Sequence, residues 1–326
     1  MKKISAFSIV GIALILAIIL AISVGSINLP TKDIVMGLIR GEGGQIGIIR
    51  DIRLPRIVIA LIVGANLSVA GVLLQAVMRN PLADPGITGI SSGASVVALI
   101  VMLYRPDAIH TLPLFGFIGG FLACILIYGL AWKNGISAMR IVLAGVAVNA
   151  VLGGFSGMLS ILNSERLSGV LTWLNGNIGN KSWQDVSVLG IYTLIGLVAS
   201  YLLFKNCNLL ALGDKAAKSL GLNVNIQRLV ISAVGVFLAG TATSIVGVIG
   251  FMGLAIPHIS RLIVGSDHKI LIPFSALMGA VVLLLADTLG RTIMNPYEIP
   301  VGIVMAILGG PFFLYLLRKG DEHYGS

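Results

Sequence analysis

Long apolar stretches recur from one end of the chain to the other, and they constrain the fold more than any other feature. A helix needs about 20 apolar residues to cross a hydrocarbon core of about 30 Å. Ten stretches approach or reach that length: residues 4–25, 57–78, 91–104, 112–132, 140–162, 186–204, 228–248, 252–265, 271–293 and 300–318. The sequence therefore predicts a single polytopic transmembrane domain over residues 1–326.

Composition supports the same class of protein. Hydrophobic residues make up 57% of the 326 residues, charged residues only 11%, and the mean hydropathy is +1.01. Such a chain cannot cover itself with the surface of an ordinary soluble protein. Backbone groups in lipid must be hydrogen-bonded internally, and the stretches lack the strict alternation of a membrane barrel. We therefore predict an all-α integral membrane protein.

The first apolar stretch follows Lys2 and Lys3 and has the charge pattern of a signal peptide. It is long for that role and lacks a small-residue cleavage site, so we expect a retained first helix. Basic residues near the span ends favour both termini on the cytoplasmic side, with 13 Lys and Arg residues inside and 9 outside. Most of the basic residues on the outer side lie in one predicted loop, residues 27–56.

Cytoplasmic lysines facing anionic lipid account for much of the net charge of +9, so nucleic-acid binding is not predicted. Cys124 lies in a predicted helix and Cys207 just beyond one, which indicates neither a disulfide framework nor a CxxC metal site. The four histidines are scattered without metal-ligand spacing. We expect this chain to bind no metal and no cofactor.

Two arginines, Arg53 and Arg56, stand in the sequence RLPR directly before the second apolar stretch. Charged side chains are costly inside lipid and usually serve a function there. Placing two of them at the mouth of a span is understandable if they meet something outside the membrane. The pair predicts a docking surface on a transporter.

The longest polar excursion on the predicted inner side is residues 205–228. Its middle favours one or two short surface helices, with Asp214 where it can cap a helix and Gly221 where a helix should stop. An ordinary amphipathic interfacial segment would show the same pattern. Four leucines that we expect to be exposed favour docking into a partner's groove: Leu210, Leu212, Leu220 and Leu222.

Seven sequence blocks resemble successive signatures of one transporter family, in family order. They are RLPR, QAVMRNPLADPG, ISSGAS, ALGDKAAKSLGL, GFMGLAIPHISR, LLLADTLGR and EIPVGIVMAILGGPFFLYLL. The chain resembles the iron-chelate and vitamin B12 permeases of ABC importers, the FecCD or BtuC-like family. The resemblance implies a ten-helix subunit in a bacterial cytoplasmic membrane. It would pair with a second permease, identical or homologous, sit on two cytoplasmic ATPases and receive substrate from an extracytoplasmic binding protein.

By this resemblance, Arg53, Arg56 and Arg291 match arginines that engage carboxylates on the binding protein. Guanidinium groups pair bidentately with carboxylates, and exposed charges steer encounter. For Arg291 an ion pair with Asp287, four residues earlier on one helix face, is an alternative that is compatible with docking.

The resemblance also matches residues 212–222 to the coupling helices that fit into the ATPase subunits. The matching positions are Leu212, Gly213, Asp214, Ala217, Ser219, Leu220 and Gly221. The chain contains no GxxxxGK[ST] phosphate-binding loop. We therefore expect ATP and magnesium on the partner ATPase, and no enzyme activity in this chain itself.

In the family, the translocation path runs between two permeases and is lined chiefly by the fifth and tenth helices. The cytoplasmic gate corresponds here to Ser137, Ala138 and Met139, and the last two depart from the small hydroxyl residues of some members. Along the fifth helix, Asn149, Ser156 and Ser160 recur at helical spacing. They either face the path or form interhelical hydrogen bonds.

The segment 165–183 should lie outside as a short helix and turn, with residues 171–176 capping the outer mouth by resemblance. We interpret Trp173 and Trp183 as interfacial anchors.

Family membership favours an iron(III)-siderophore as cargo, with haem or cobalamin as alternatives. An ion-coupled secondary transporter is the alternative of another class. It usually needs intramembrane carboxylates, and Asp287 is the only acidic residue well inside a predicted span.

Overall fold

The computed structural model describes residues 2–24, 47, 49–133, 135, 137–163 and 167–324. Within these ranges the chain forms thirteen α-helices and no β-strand, which confirms the all-α prediction. The helices are α1 (Lys2–Ser23), α2 (Leu54–Met78), α3 (Ile90–Tyr104), α4 (Leu112–Ala131), α5 (Ala138–Leu162), α6 (Leu167–Leu174), α7 (Trp183–Leu202), α8 (Phe204–Ala211), α9 (Asp214–Ser219), α10 (Val224–Val246), α11 (Met252–Val264), α12 (His268–Gly290) and α13 (Val301–Tyr324).

Seven of the described helices are long and apolar enough to cross a membrane: α1, α2, α4, α5, α7, α10 and α12. Three shorter apolar helices, α3, α11 and the first part of α13, complete the set of ten predicted spans. Most of the predicted outer loop lies outside the described residues, which resume at residue 47 and then continuously from residue 49.

Helix α2 lies at the centre of the bundle and packs against α7, α10, α11 and α12. Most of its residues are buried on every side, so it is apolar all round rather than along one stripe. A buried hydrogen bond of 2.7 Å from Asn66 Nδ2 to Thr193 Oγ1 joins it to α7. Helices α1, α5 and α7 instead leave most of their apolar surface unburied by the rest of the described chain.

The connection from α10 to α11 is an unwound stretch that begins at Gly247. This residue has a φ of +82°, and a Cβ there would lie only 1.9 Å from the Trp173 carbonyl oxygen. Only glycine fits both the positive φ and this close approach. The stretch ends at Phe251, the N-cap residue of α11. It thereby brings the end of α10 directly against the turn that follows α6.

Candidate functional site

The predicted site residues fall into three regions of the bundle, of which the third lies along α5. Arg53, Arg56 and Arg291 gather around the start of α2 and the end of α12. The segment 205–228 lies at the opposite end of α2, beside Arg79. Helix α2 has 25 residues and is therefore about 37 Å long, so these two regions are separated by a membrane thickness.

Arg56 is the centre of the first region. Its Nη2 lies 2.9 Å from Asp287 Oδ1, and its Nε lies 3.0 Å from Asp287 Oδ2, so the pair is bidentate. Its Nη1 donates to Glu298 Oε2 at 2.8 Å. The Asp287 side chain is 2% exposed and that of Arg56 is 12% exposed, whereas Glu298 is 41% exposed. One guanidinium thus joins α2, the end of α12 and the turn before α13.

The other two arginines hold the end of α1. Arg53 Nη1 donates to the Ile22 carbonyl at 2.6 Å, and Arg291 Nη2 donates to the Ala21 carbonyl at 2.8 Å. The last carbonyls of a helix lack partners within it and carry partial negative charge, so two cations stabilise this terminus. Both arginines are 5% exposed.

The predicted alternative for Arg291 is present, since its Nε lies 3.6 Å from Asp287 Oδ2 on the same helix face. The docking role of the three arginines stays a prediction. In this conformation each guanidinium already contacts groups of its own chain, and all three are largely buried. Sequence reasoning did not single out Glu298, although it opens the block EIPVG.

The segment 205–228 contains two short helices, α8 and α9, as expected. Cys207, Leu210 and Ala217 anchor it to the bundle, each at most 1% exposed. Leu212 and Leu220 are both 61% exposed, as predicted. The prediction for Leu210 is wrong because this side chain points into the core, and Leu222 is half-buried.

Asp214 does not cap α9 through its side chain. It is the first residue of the helix, and the N-cap is Gly213 with a φ of +102°. The Asp214 carboxylate instead accepts hydrogen bonds from Arg228 Nη2 at 2.9 Å and Nη1 at 3.2 Å. Gly221 has a φ of +82° two residues after the helix ends, which agrees with the predicted stop.

Further polar contacts tie α8 to neighbouring spans. Asn206 Nδ2 donates to Gln227 Oε1 of α10 at 2.7 Å. Asn208 Nδ2 donates to Asp267 Oδ1 at 2.8 Å, and the Asn208 side-chain oxygen accepts from the His268 amide. The hydrogen bond from Asn208 and another from the Lys269 amide hold the pKa of Asp267 below its ordinary value. Helix α8 is therefore connected to both α10 and α12.

The predicted cytoplasmic gate lies at the start of α5. Ser137 is its N-cap residue, and its side chain forms no capping hydrogen bond with the described residues. Arg140 donates to the carbonyls of Lys133 and Gly135, both at 2.8 Å, and so fixes the turn before the helix. Ala138 packs against the core and Met139 is 67% exposed. The gating role of these residues stays a prediction.

The polar residues along α5 differ in their contacts. Asn149 Nδ2 donates to the Gly86 carbonyl at 3.0 Å, and its Oδ1 accepts from Ser92 Oγ at 2.6 Å. Ser160 Oγ donates to the Ser156 carbonyl at 2.8 Å within the same helix. Ser156 Oγ makes no hydrogen bond within the described part of the chain. The interhelical alternative is therefore realised at Asn149 but, among the described residues, not at Ser156.

The predicted short helix in segment 165–183 is α6, while residues 165 and 166 lie outside the described ranges. Trp173 is wrong as an interfacial anchor because it is 7% exposed and packs against α3 and α4 residues. Trp183 is 44% exposed, and its Nε1 donates to the Arg50 carbonyl at 2.9 Å. The Asn177 amide donates to the Val246 carbonyl at 2.7 Å, which attaches the turn to the end of α10.

No group of three or more His, Cys, Asp or Glu side chains in the described ranges is placed to hold a metal ion. Cys124 and Cys207 are both buried thiols without a disulfide. The docking, coupling and gating roles of the candidate residues stay predictions.

Comparison with known sequences identifies the family. A sequence profile described as the FecCD transport family matches residues 13–319. The Fe(3+)-citrate import system permease protein YfmE of Bacillus subtilis (strain 168) is 37% identical over 318 residues, which cover 97% of this chain and 96% of that protein. The protein named "Probable heme-iron transport system permease protein IsdF" in Staphylococcus aureus (strain MSSA476) is 40% identical over 299 residues. These residues cover 92% of this chain and 91% of that protein.

Two solved structures share the fold. A metal-chelate type ABC transporter in an inward-facing conformation matches with a TM-score of 0.83 and 28% identity, over 97% of this chain and 99% of that chain. PsaBC from Streptococcus pneumoniae in complex with Fab matches with a TM-score of 0.59, over 88% of this chain and 95% of that chain. Its 19% identity shows a similarity of fold alone.

Proposed function

Because the chain belongs to the FecCD transport family, we propose that it is the permease subunit of an ABC importer for an iron(III) chelate of the siderophore class. The observation that carries this proposal is the 0.83 TM-score to a metal-chelate type ABC transporter over nearly the whole of both chains. The sequence similarity to iron-import permeases extends over nearly the same length.

Two relatives from Bacillus subtilis, named as permeases of an Fe(3+)-citrate import system, support iron(III) chelate as cargo. Haem is a second candidate, because the relatives named for heme-iron transport are 40% identical to this chain. Cobalamin is suggested by the wider family alone. The binding protein selects the cargo before transfer, so a weakly selective path through the permease would serve either solute.

The described helices leave room for each proposed partner. The face of α5 that carries Gly153, Gly154 and Gly157 has no atom of the described chain within 4 Å of an added Cβ. Small residues permit close helix packing in membranes, so this face suits the second permease subunit, identical or homologous. Segment 205–228, with Leu212 and Leu220 projecting from it, suits one of the two ATPase subunits, which bind ATP and magnesium.

The extracytoplasmic binding protein would dock at Arg53, Arg56 and Arg291, which together form the arginine cluster. Its carboxylates would compete with Asp287, Glu298 and the α1 carbonyls for the three guanidinium groups. Docking would therefore loosen contacts that hold α1 and the turn before α13. In this arrangement the arginine cluster at one end of α2 would face outward, whereas both termini and segment 205–228 would face the cytoplasm of a bacterial cell.

Transport then follows from alternating access between these two ends. The loaded binding protein releases its chelate into the cavity between two permeases. ATP binding and hydrolysis on the ATPase subunits displace segment 205–228 and exchange which gate is open. Residues 137–139 would close the path on the inner side and residues 171–176 on the outer side.

Proteoliposomes containing the full complex, with binding protein added outside, test the cargo. Uptake of radioactive ferric citrate, a ferric hydroxamate and haem would be compared at equal concentration, each with the binding protein that carries it. We expect uptake of at least one iron(III) chelate to exceed haem uptake at least tenfold. Uptake of haem alone would make haem the cargo in place of an iron(III) chelate. Uptake of neither solute would contradict the proposal.

A further inference from the structure

Asp214 connects the proposed coupling segment to two of the most buried spans. Its carboxylate receives both Nη atoms of Arg228, at 2.9 and 3.2 Å. The Arg228 side chain is 4% exposed and that of Asp214 is 40% exposed. A bidentate guanidinium–carboxylate pair fixes direction as well as distance. The first residue of α9 is therefore held rigidly to the second turn of α10.

The same carboxylate also lies near the end of α2. Arg79 Nη1 is 3.7 Å from Asp214 Oδ1, and Arg79 is the left-handed residue that terminates α2. Gly213 allows this approach for two reasons. The φ of Gly213 is +102°, which glycine adopts readily, and a Cβ at this position would lie only 3.3 Å from Arg79 Nη2. One side chain thus meets α9, α10 and the end of α2.

Helix α10 extends from this contact to the opposite end of the bundle. Its 23 residues span about 34 Å. At the far end the Val246 carbonyl accepts from the Asn177 amide at 2.7 Å. Gly247 packs directly against the Trp173 carbonyl there. A displacement of the first turns of α10 would therefore reach residues 173–177, which we expect to cap the outer mouth.

Resting on the proposed function, we infer that Asp214 is a positioning residue that transmits movement of α9 to α10 and, through α10, to the turn at residues 173–177. Arg228 is its principal partner and Arg79 the secondary one. The exposed leucines of the segment would receive the ATPase, whereas the Asp214 carboxylate contacts Arg228 and Arg79 and would carry the displacement inward. Docking and transmission are thus assigned to different residues of one short segment.

The test uses the complete importer in proteoliposomes and measures substrate imported per ATP hydrolysed. Replacement Asp214→Asn keeps the side-chain shape but removes the charge. We expect this ratio to fall roughly tenfold, the order expected for loss of a charged hydrogen-bonded pair, with recovery of the ATPase subunits unchanged. Arg228→Gln should lower the ratio to a similar extent, and the double variant should show no lower a ratio than either single variant.

A second readout separates transmission from simple stabilisation. In a variant with Asn180→Cys at the exposed outer turn, labelling by an impermeant maleimide should change when ATP is added. Combining Asp214→Asn with this reporter should abolish the ATP-dependent change. Asp107→Asn is the matched control, since it removes an exposed pair with Arg105 at 3.5 Å and should alter neither readout.

An Asp214→Asn complex whose ratio stays within about twofold of the parent would overturn the inference. Loss of the ATPase subunits on purification would also overturn it, because Asp214 would then act in docking. If Asp214→Asn cannot be produced, Asp214→Glu is judged by the same two readouts. Failure of the unmodified complex to import with ATP contradicts the proposed function, whereas a normal parent with an unaffected Asp214 variant contradicts this inference alone.

Discussion

Arg56 and Asp287 form a bidentate ion pair at one end of the bundle, with Nη2 2.9 Å from Oδ1. The Asp287 carboxylate is 2% exposed and has Arg291 as a second cationic neighbour at 3.6 Å. Buried charges are tolerated when they are paired and hydrogen-bonded, as here. The pair joins the central helix α2 to α12 and so serves the fold in addition to any docking role.

Replacing Arg56 with Gln should destabilise the protein. The substitution leaves the buried Asp287 carboxylate without its main partner, and breaking a buried pair costs about 3 kcal/mol or more. Denaturant unfolding of the purified protein in detergent measures the effect. Arg105→Gln is the control, because that arginine is 71% exposed and its ion pair contributes at most about 1 kcal/mol. Equal stability of the two variants would contradict the structural role of Arg56.

Replacing Glu298 with Gln should strengthen capture of the binding protein. Glu298 is 41% exposed and accepts from Nη1 of Arg56, so a neutral glutamine would hold that group more weakly and would remove a negative charge from the proposed docking surface. We expect affinity to rise a few-fold at low salt and less at high salt, because screening weakens exposed charges. Arg56→Gln should act in the opposite direction. Unchanged affinity in both variants would remove this cluster from the docking surface.

Cys207 should resist alkylation in the folded protein. Burial raises the pKa of its thiol to about 12, so at pH 8 it remains protonated and unreactive, and its side chain is fully inaccessible. Maleimide labelling should appear only after denaturation. A Leu220→Cys variant is the contrast, since that position is 61% exposed and should label in the native state from the cytoplasmic side. Labelling of Leu220→Cys from outside would reverse the proposed orientation.

Replacing Asn149 with Leu should lower stability by about 1–3 kcal/mol, because the Gly86 carbonyl and Ser92 hydroxyl lose their partners. Ser156→Leu removes no hydrogen bond of the described residues. If Ser156 faces the path, this second variant should keep its stability and import more slowly. Thermal unfolding and uptake assays measure the two effects. The reverse pattern would exchange the structural and path-lining roles of these residues.

The spans and the short helices of segment 205–228 could be predicted from sequence because apolar length and helix-ending residues act locally. The burial of Leu210 and Trp173 could not, since both depend on which helices pack beside them. Likewise, the pairing of Arg56 with Glu298 joins residues 242 positions apart. Asp214 had the sequence pattern of a helix cap, but Arg228 in α10 offers its carboxylate a stronger partner.

ATP-dependent uptake tests the central claim most directly. Proteoliposomes containing the permease, its ATPase subunits and external binding protein would receive ferric citrate, with ATP or a nonhydrolysable analogue inside. We predict uptake only with hydrolysable ATP, and unchanged uptake when a proton or sodium ionophore is added. Uptake that persists without the ATPase subunits and collapses with the ionophore would contradict the importer and favour an ion-coupled secondary transporter.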